Sequence, residues 1–158
     1  MSRLRATKSV RLRSFVACEV GQSRYVLPVE EVQEIVQPLH LTPLPHAPPG
    51  VIGAVEHREQ VVPVIDLGAR LGFGPTAGSK LKWVLLRTSA LTVGVVVDRV
   101  LEVFEIPESS LRPAPEVGDV AARAAKSVLN YRGEMAFVLD LEAVASLARV
   151  TAPLGGKQ

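Results

Sequence analysis

The sequence predicts a mainly β protein built as two related antiparallel barrel lobes of about five strands each, with short helices and a C-terminal helix. Three observations carry this expectation. Short runs rich in Val, Ile and Leu recur at regular spacing, separated by turn-forming residues. β-Branched residues rather than aromatics fill those runs, since the chain holds only four Phe, two Tyr and one Trp. Finally, the frame of Gly53–Leu67 (GAVEHREQVVPVIDL) returns in Ser127–Leu141 (SVLNYRGEMAFVLDL). Arg58 matches Arg132, Val64 matches Val138, Asp66 matches Asp140 and Leu67 matches Leu141, every pair 74 residues apart. An ungapped match of this kind marks an internal duplication, each copy ending in a hairpin with an arginine at its tip.

The elements follow in order. Residues 1–13 hold Arg3, Arg5, Lys8, Arg11 and Arg13 without one acid and read as a basic flexible tail. Phe15–Val20 alternates, and after the turn Gly21–Ser23 the chain returns as Arg24–Leu27. Pro28 stops ladder pairing, and Val29, Val32, Ile35 and Val36 are spaced for one helical turn running into a strand. Five prolines between Pro38 and Gly50 make that segment extended and semi-rigid. The hairpin Val51–Val55 and Gln60–Ile65 follows, joined by the charged turn Glu56-His57-Arg58-Glu59. Asp66 is placed to cap a short helix that Gly72 ends.

The loop Gly72–Ser79 separates the halves, and Leu81–Arg87 with Leu91–Val97 forms the next hairpin. Asp98 caps another short turn before the strand Leu101–Ile106. Val32, Glu34 and Ile35 match Val100, Glu102 and Val103 at a separation of 68. The second half therefore gains six residues before its long hairpin, which Pro107–Gly118 or Val120–Ala125 can absorb. Asp140 is a third cap, and Leu141, Val144, Ala145, Leu147 and Ala148 form the apolar face of a helix. Residues 151–158 read as a tail. One folded domain thus spans residues 14–150, with lobes at roughly 14–72 and 80–150. The repeat leaves open whether the lobes exchange elements.

Composition narrows the function. The formal charge of +2 falls to −3 without the five bases of the tail, so the folded part is mildly acidic. No aromatic residue interleaves with a basic run, which argues against nucleic acid as a partner. No apolar run reaches the roughly 18–20 residues of a membrane span, and the N-terminus has no signal-peptide core. A cytoplasmic protein without direct membrane insertion is expected. Cys18 lies in an apolar strand and is expected as a buried, reduced thiol.

His40, His46 and His57 have no partners at ligand spacing, so no metal and no cofactor are assigned. The serine-nucleophile pattern G-x-S-x-G is absent. The duplication does raise an aspartic-type hydrolase that pairs Asp66 with Asp140. Neither Asp66-Leu67-Gly68-Ala69 nor Asp140-Leu141-Glu142 has the hydroxyl residue and paired glycine that would hold the carboxylates face to face, and helix capping accounts for both aspartates. No catalytic residue is assigned. What remains is recognition through two equivalent arginine-tipped hairpins, arginine being suited to binding carboxylates bidentately.

Four motifs, in order and spacing, resemble one known family. Val32-Gln33-Glu34-Ile35 fits its V-x-E-I step, and Pro63-Val64-Ile65-Asp66-Leu67 its strand-end P-[IV]-[IV]-D-L. Gly94–Val100 (GVVVDRV) fits G-x-V-V-D-x-V, and Leu111–Glu116 (LRPAPE) fits a loop of many members. From Phe15 to Leu147 the chain resembles CheW, the adaptor that couples chemoreceptors to the histidine kinase CheA in bacterial chemosensory arrays. The resemblance implies two SH3-like five-stranded barrels around a shared core, and a non-enzymatic protein in cytoplasmic receptor arrays. The partners it implies are the regulatory domain of a CheA-type histidine kinase, the cytoplasmic tip of a methyl-accepting chemoreceptor, and other CheW-like domains. By position it assigns Arg58, Val32 and Gly53 to receptor binding, with the turn residues Glu56, His57 and Glu59 beside them. Glu34 and Ile35 fall to the kinase. Where the family has N-L-R-G, this chain has Glu56-His57-Arg58-Glu59, so an adaptor that keeps only one partner stays open. Gly133 follows Arg132 in the second hairpin, which predicts a positive φ for Glu59 in the first.

Overall fold

A computed structural model describes residues 10–48, 50–115 and 124–146. The strands are β1 (Leu12–Val20), β2 (Ser23–Pro28), β3 (Val32–Val36), β4 (Val51–His57), β5 (Gln60–Asp66), β6 (Lys82–Arg87), β7 (Thr92–Val97), β8 (Arg99–Pro107), β9 (Arg112–Pro113), β10 (Ala125–Tyr131) and β11 (Glu134–Leu139). Helix α1 covers Leu67–Arg70 and α2 covers 141–146. Single 3-10 turns at Val29–Glu31 and Glu108–Ser110 lead into β3 and β9, each entered from a proline that is fixed in extended geometry.

The strands form two sheets, in the orders β8-β1-β2-β11-β10-β9 and β3-β6-β7-β5-β4. The hairpin β1–β2 therefore lies in the sheet of the C-terminal strands, and the hairpin β6–β7 lies with β3–β5. Two features depart from the expectation of five antiparallel strands per lobe. One sheet has six strands, the extra one being the two-residue β9. Each sheet also holds one parallel pair, β5 with β7 and β11 with β2. Both parallel pairs arise because two hairpins dock through their returning strands, which run the same way.

Alternation along these strands explains their near-continuous apolar character. On β1, Val16, Cys18 and Val20 enter a core that also receives Tyr25, Leu27, Val84, Leu86, Val93, Val95, Val97, Ile65 and Leu139 from both sheets. The intervening Phe15 and Ala17 face a second cluster with Val26, Leu129, Tyr131 and Val138. In the other sheet Trp83, Leu85 and Val96 do the same with Val55, Val62 and Val64. Each sheet thus buries one face privately and one face against its neighbour, and a strand buried on both faces has no polar positions left. Cys18 is fully buried, and burial pushes its thiol up to about 12, which keeps it protonated and inert at neutral pH.

The duplication holds residue by residue. Ile35 pairs with Val84 and Val36 with Trp83, while Val103 pairs with Val16 and Phe104 with Phe15. The strand bulges also correspond. The register slips between Val32 and Glu34 against β6, and at the matching place of β8 against β1. In the hairpins it slips between Val51 and Gly53, and again between Ala125 and Ser127. The region that absorbs the six extra residues lies partly in 116–123, and Leu147 and Ala148 of the expected terminal helix are also outside the described residues.

Of the three expected helix caps, two aspartates bond as caps do. Asp66 Oδ1 accepts from Ala69 N at 3.2 Å, and Asp140 Oδ1 accepts from Ala143 N at 3.2 Å. Asp98 caps no helix. Strand β8 begins at the next residue, and the Asp98 carboxylate instead accepts from Gly21 N at 2.7 Å, tying down the β1–β2 turn.

Candidate functional site

Hairpin β4–β5 turns through Arg58 (φ 52°) and Glu59 (φ 66°), both left-handed, as a two-residue turn of the I′ kind requires. Glycine or asparagine normally fills such positions, so the turn holds strain at two ordinary side chains. It points Arg58 at β3. The guanidinium grips Glu34 in a fork, Nε to Oε1 at 3.0 Å and Nη2 to Oε2 at 3.0 Å. His57 Nε2 stands 3.1 Å from the same Oε1. Hydrogen bonds from Arg58, and then the contact with His57, pull the Glu34 carboxyl down to about 2, while Glu34 raises the Arg58 guanidinium. Both charges are therefore fixed across the physiological range.

The second sheet repeats the arrangement. Glu102 stands 68 residues after Glu34, and Tyr131 and Arg132 stand 74 residues after His57 and Arg58. The Tyr131 hydroxyl donates to Glu102 Oε2 at 2.6 Å, and Arg132 Nη2 lies 2.6 Å from the same oxygen. Arg132 also lies over the Tyr131 ring at 5.6 Å. The Tyr131 bond foremost, then the charge of Arg132, holds the Glu102 carboxyl below its usual range. Exposed apolar residues repeat as well: Ile35 with Val103, and Val61 with Met135.

The structure thus joins two residues that the resemblance assigned to different partners, Arg58 and Glu34, into one bidentate pair. Ile35 follows Glu34 on the open edge of β3 and is 39% exposed. Val32 is partly buried and packs on the shared core. Glu56 lies across from Val61 on the outer face of the hairpin, and Glu59 is exposed at its tip. Gly53 is buried beneath residues 41–42, where an added Cβ would come within 2.5 Å of the Thr42 carbonyl oxygen. Its place in the site is as a support, holding the Thr42–Ala54 bridge against β4.

Known proteins share this fold. The family described as CheW-like domain matches residues 14–149. The chain belongs to the CheW family. It is 30% identical over 135 residues to the chemotaxis protein CheW of Rhizobium meliloti, covering 84% of this chain and 86% of that protein. It is 34% identical over 122 residues to protein FrzA of Myxococcus xanthus, covering 77% and 76%. The crystal structure of the scaffolding protein TtCheW from Thermoanaerobacter tengcongensis superposes with a TM-score of 0.77 at 25% identity, over 85% of this chain and 88% of that one.

As a CheW-family protein this chain is of the chemotaxis scaffold kind, and Asp66 and Asp140 serve the fold. Asp66 is buried, and its carboxylate is taken up by Ala69 N, Thr76 N at 3.0 Å and the Thr76 hydroxyl. Asp140, directly after β11 of the other sheet, bonds to α2. Neither set of bonds leaves a carboxylate dyad. Among the described residues no three His, Cys, Asp or Glu side chains group as metal ligands, and no helix is long and apolar enough to cross a membrane. Sequence reasoning missed Gln33, Arg87 and Thr92, which flank Arg58, and the pairing of His57 with Tyr131. The 74-residue frame already held the second of these.

Proposed function

We propose that this protein is a non-enzymatic adaptor that couples the cytoplasmic tip of a chemoreceptor to the regulatory domain of a CheA-type histidine kinase in a cytoplasmic array. The observation that carries the reading is the bidentate Arg58–Glu34 pair on the open edge strand β3, with Ile35 exposed beside it. A charged pair locked in one geometry beside an exposed apolar residue offers a partner a rigid polar contact next to an apolar anchor. Arg58, Val32 and Gly53, with Glu56, His57 and Glu59, are assigned to the receptor side. Glu34 and Ile35 are assigned to the kinase side, and other CheW-like domains can meet the same edge. Because Glu34 and Arg58 are one unit, each partner senses the geometry the other sets.

The test is calorimetric titration of the full chain with a purified receptor-tip hairpin and, separately, with the kinase regulatory domain. The reading expects binding to both. A second reading rests on the altered turn Glu56-His57-Arg58-Glu59 and expects binding to one partner only. Binding to neither would end both readings.

A further inference from the structure

Next to Arg58 is an open cleft of about 460 Å³, walled by Gln33 of β3, Gln60 of β5 and the β6–β7 turn from Arg87 to Thr92. A matching cleft of about 300 Å³ lies in the other sheet, walled by Leu101, Arg132, Glu134, Arg24 and Arg99. The repeat relates the two wall by wall. Gln33 and Leu101, and Thr92 and Arg24, are 68 residues apart, while Arg58 and Arg132, and Gln60 and Glu134, are 74 apart. Arg87 corresponds in the same way to Glu19, 68 residues before it.

The two clefts differ in how their charge is settled. In the second, Glu19 takes Arg24 at 3.1 Å and Arg99 at 3.2 Å, Glu134 stands 3.9 Å from Arg24, and Glu102 takes Arg132. Three guanidinium groups meet three carboxylates from within the chain. In the first, two of those carboxylates are replaced, Glu19 by Arg87 and Glu134 by Gln60. Arg58 keeps Glu34, whereas among the described residues the Arg87 side chain bonds only to a neutral acceptor, Gln33 Oε1 at 3.2 Å. Thr92 Oγ1 shares that acceptor at 3.0 Å. Below the cleft, Thr88 Oγ1 accepts from Ala90 N and Leu91 N, which makes the turn rigid. The cleft is thus held in shape with one positive charge that no carboxylate within the described residues answers. Its other walls are the paired Arg58, amides and hydroxyls, with Ala90 and Leu91 as the apolar part.

We infer that this cleft is a docking site for an aspartate or glutamate side chain of the receptor tip, with Arg87 as the specificity-determining residue. Resting on the coupling role proposed above, this adds the chemistry of the contact. The argument is charge complementarity: the sister cleft seats a carboxylate against each of its guanidinium groups, and here the one that would answer Arg87 has to come from outside. Arginine offers five donors in a planar fork and Arg87 uses one, so a carboxylate can be taken bidentately without displacing Gln33.

The experiment is nitrogen-15 NMR of the full chain with three probes: a glutamate-rich decapeptide, its glutamine counterpart and inorganic phosphate. The glutamate peptide is expected to shift the Arg87 Nε–H and the backbone signals of Ser89 to Thr92, and the glutamine peptide to leave them in place. Arg87→Ala should weaken that binding about tenfold, as loss of one charge-assisted contact does. Gln60→Glu, which restores the sister cleft's own acid, should weaken it similarly without touching Arg87. Equal shifts from both peptides, shifts confined to the second cleft, or full reproduction by phosphate alone would each overturn the inference. With the receptor-tip hairpin, Arg87→Ala should lose affinity about tenfold while kinase-domain binding stays unchanged. Tip binding that ignores Arg87 overturns the cleft and spares the coupling role. Peptide binding at Arg87 in a protein that binds neither partner overturns the coupling role and, with it, the receptor tip as the occupant.

Discussion

Glu34 and Glu102 stand 68 residues apart in the chain and at the same point of two different sheets, each gripped by the arginine at the tip of the neighbouring hairpin. The neighbour of each arginine completes the grip, His57 in one sheet and Tyr131 in the other. A carboxylate clamp kept in both halves of this CheW-family protein points to a structural device that positions a surface. In the first copy it positions β3, the edge that carries Ile35.

The clamp on Glu34 is expected to be visible in its titration. The folded carboxyl is depressed from 4.5 to about 2. The stabilisation it supplies is therefore complete above 4.5 and is lost as pH falls through about 2. A carbon-13 NMR titration of the Glu34 carboxyl should show a midpoint near that low value. Arg58→Ala should move the midpoint up towards the ordinary range, and His57→Ala should move it less, because Arg58 is the larger cause. An unmoved midpoint in Arg58→Ala would show that the pair does not persist in solution.

The aspartates test the fold rather than the surface. Asp140→Ala removes one cap bond and should cost about 0.5–2 kcal/mol. Asp66→Ala also strands the amide and hydroxyl of the half-buried Thr76, so it should cost more, roughly 2–4 kcal/mol. Urea denaturation reads both. Thr76→Val should account for much of the difference, and equal losses at the two aspartates would refute the added role of Thr76.

Much of this was legible in the sequence. The Arg58/Arg132 and Asp66/Asp140 frame gave the two equivalent hairpins, and the Glu34/Glu102 match gave the edge strands, because a duplicated fold keeps its register where bulges and turns require particular geometry. The parallel pairings were not legible. Alternation tells which face a residue occupies but not which strand lies beside it, and β2 meets β11 across more than a hundred residues of chain. Asp98 was misread for a related reason. An aspartate before an apolar run has the pattern of a cap, and only the tertiary fold brings the Gly21 amide within its reach. The cleft at Arg87 was hidden because a lone surface arginine has no signal until its repeat partner Glu19 is seen to be paired.

Gly53 separates support from contact. A Cβ there would press on the Thr42 carbonyl oxygen and on Leu41, and the backbone φ of 151° already disfavours other residues. Gly53→Ala should lower stability by about 2–3 kcal/mol, through strain and a displaced bridge. Any loss of receptor binding should then recover at lower temperature, as it would not for a residue in direct contact. Thermal unfolding run beside binding at two temperatures decides this.

Arg58→Ala and Ile35→Glu should divide the partners. Arg58 is exposed, so the first change should leave the melting temperature nearly unmoved while weakening the receptor tip. Ile35→Glu places a charge on the apolar part of the edge and should weaken the kinase regulatory domain more than tenfold. Titration of each variant with each partner gives four affinities. If both variants weaken both partners equally, the two contacts form one surface and the division is wrong.

Glu59 carries the last expectation. Its φ of 66° and that of Gly133 at 85° show the same turn position filled once by glutamate and once by glycine. A left-handed backbone costs a non-glycine residue roughly 1–2 kcal/mol. Glycine removes that strain but loses roughly 0.5–1 kcal/mol to its greater freedom in the unfolded chain. The first effect is the larger, so Glu59→Gly should be neutral or stabilising by up to about 1 kcal/mol. The reverse change supplies the control. An added Cβ at Gly133 meets nothing within 4 Å, so Gly133→Ala suffers from backbone strain alone and should be destabilised by a similar amount. Thermal unfolding of the two variants should therefore shift in opposite directions. A destabilised Glu59→Gly would mean that the glutamate side chain contributes more to the hairpin than its strained backbone costs.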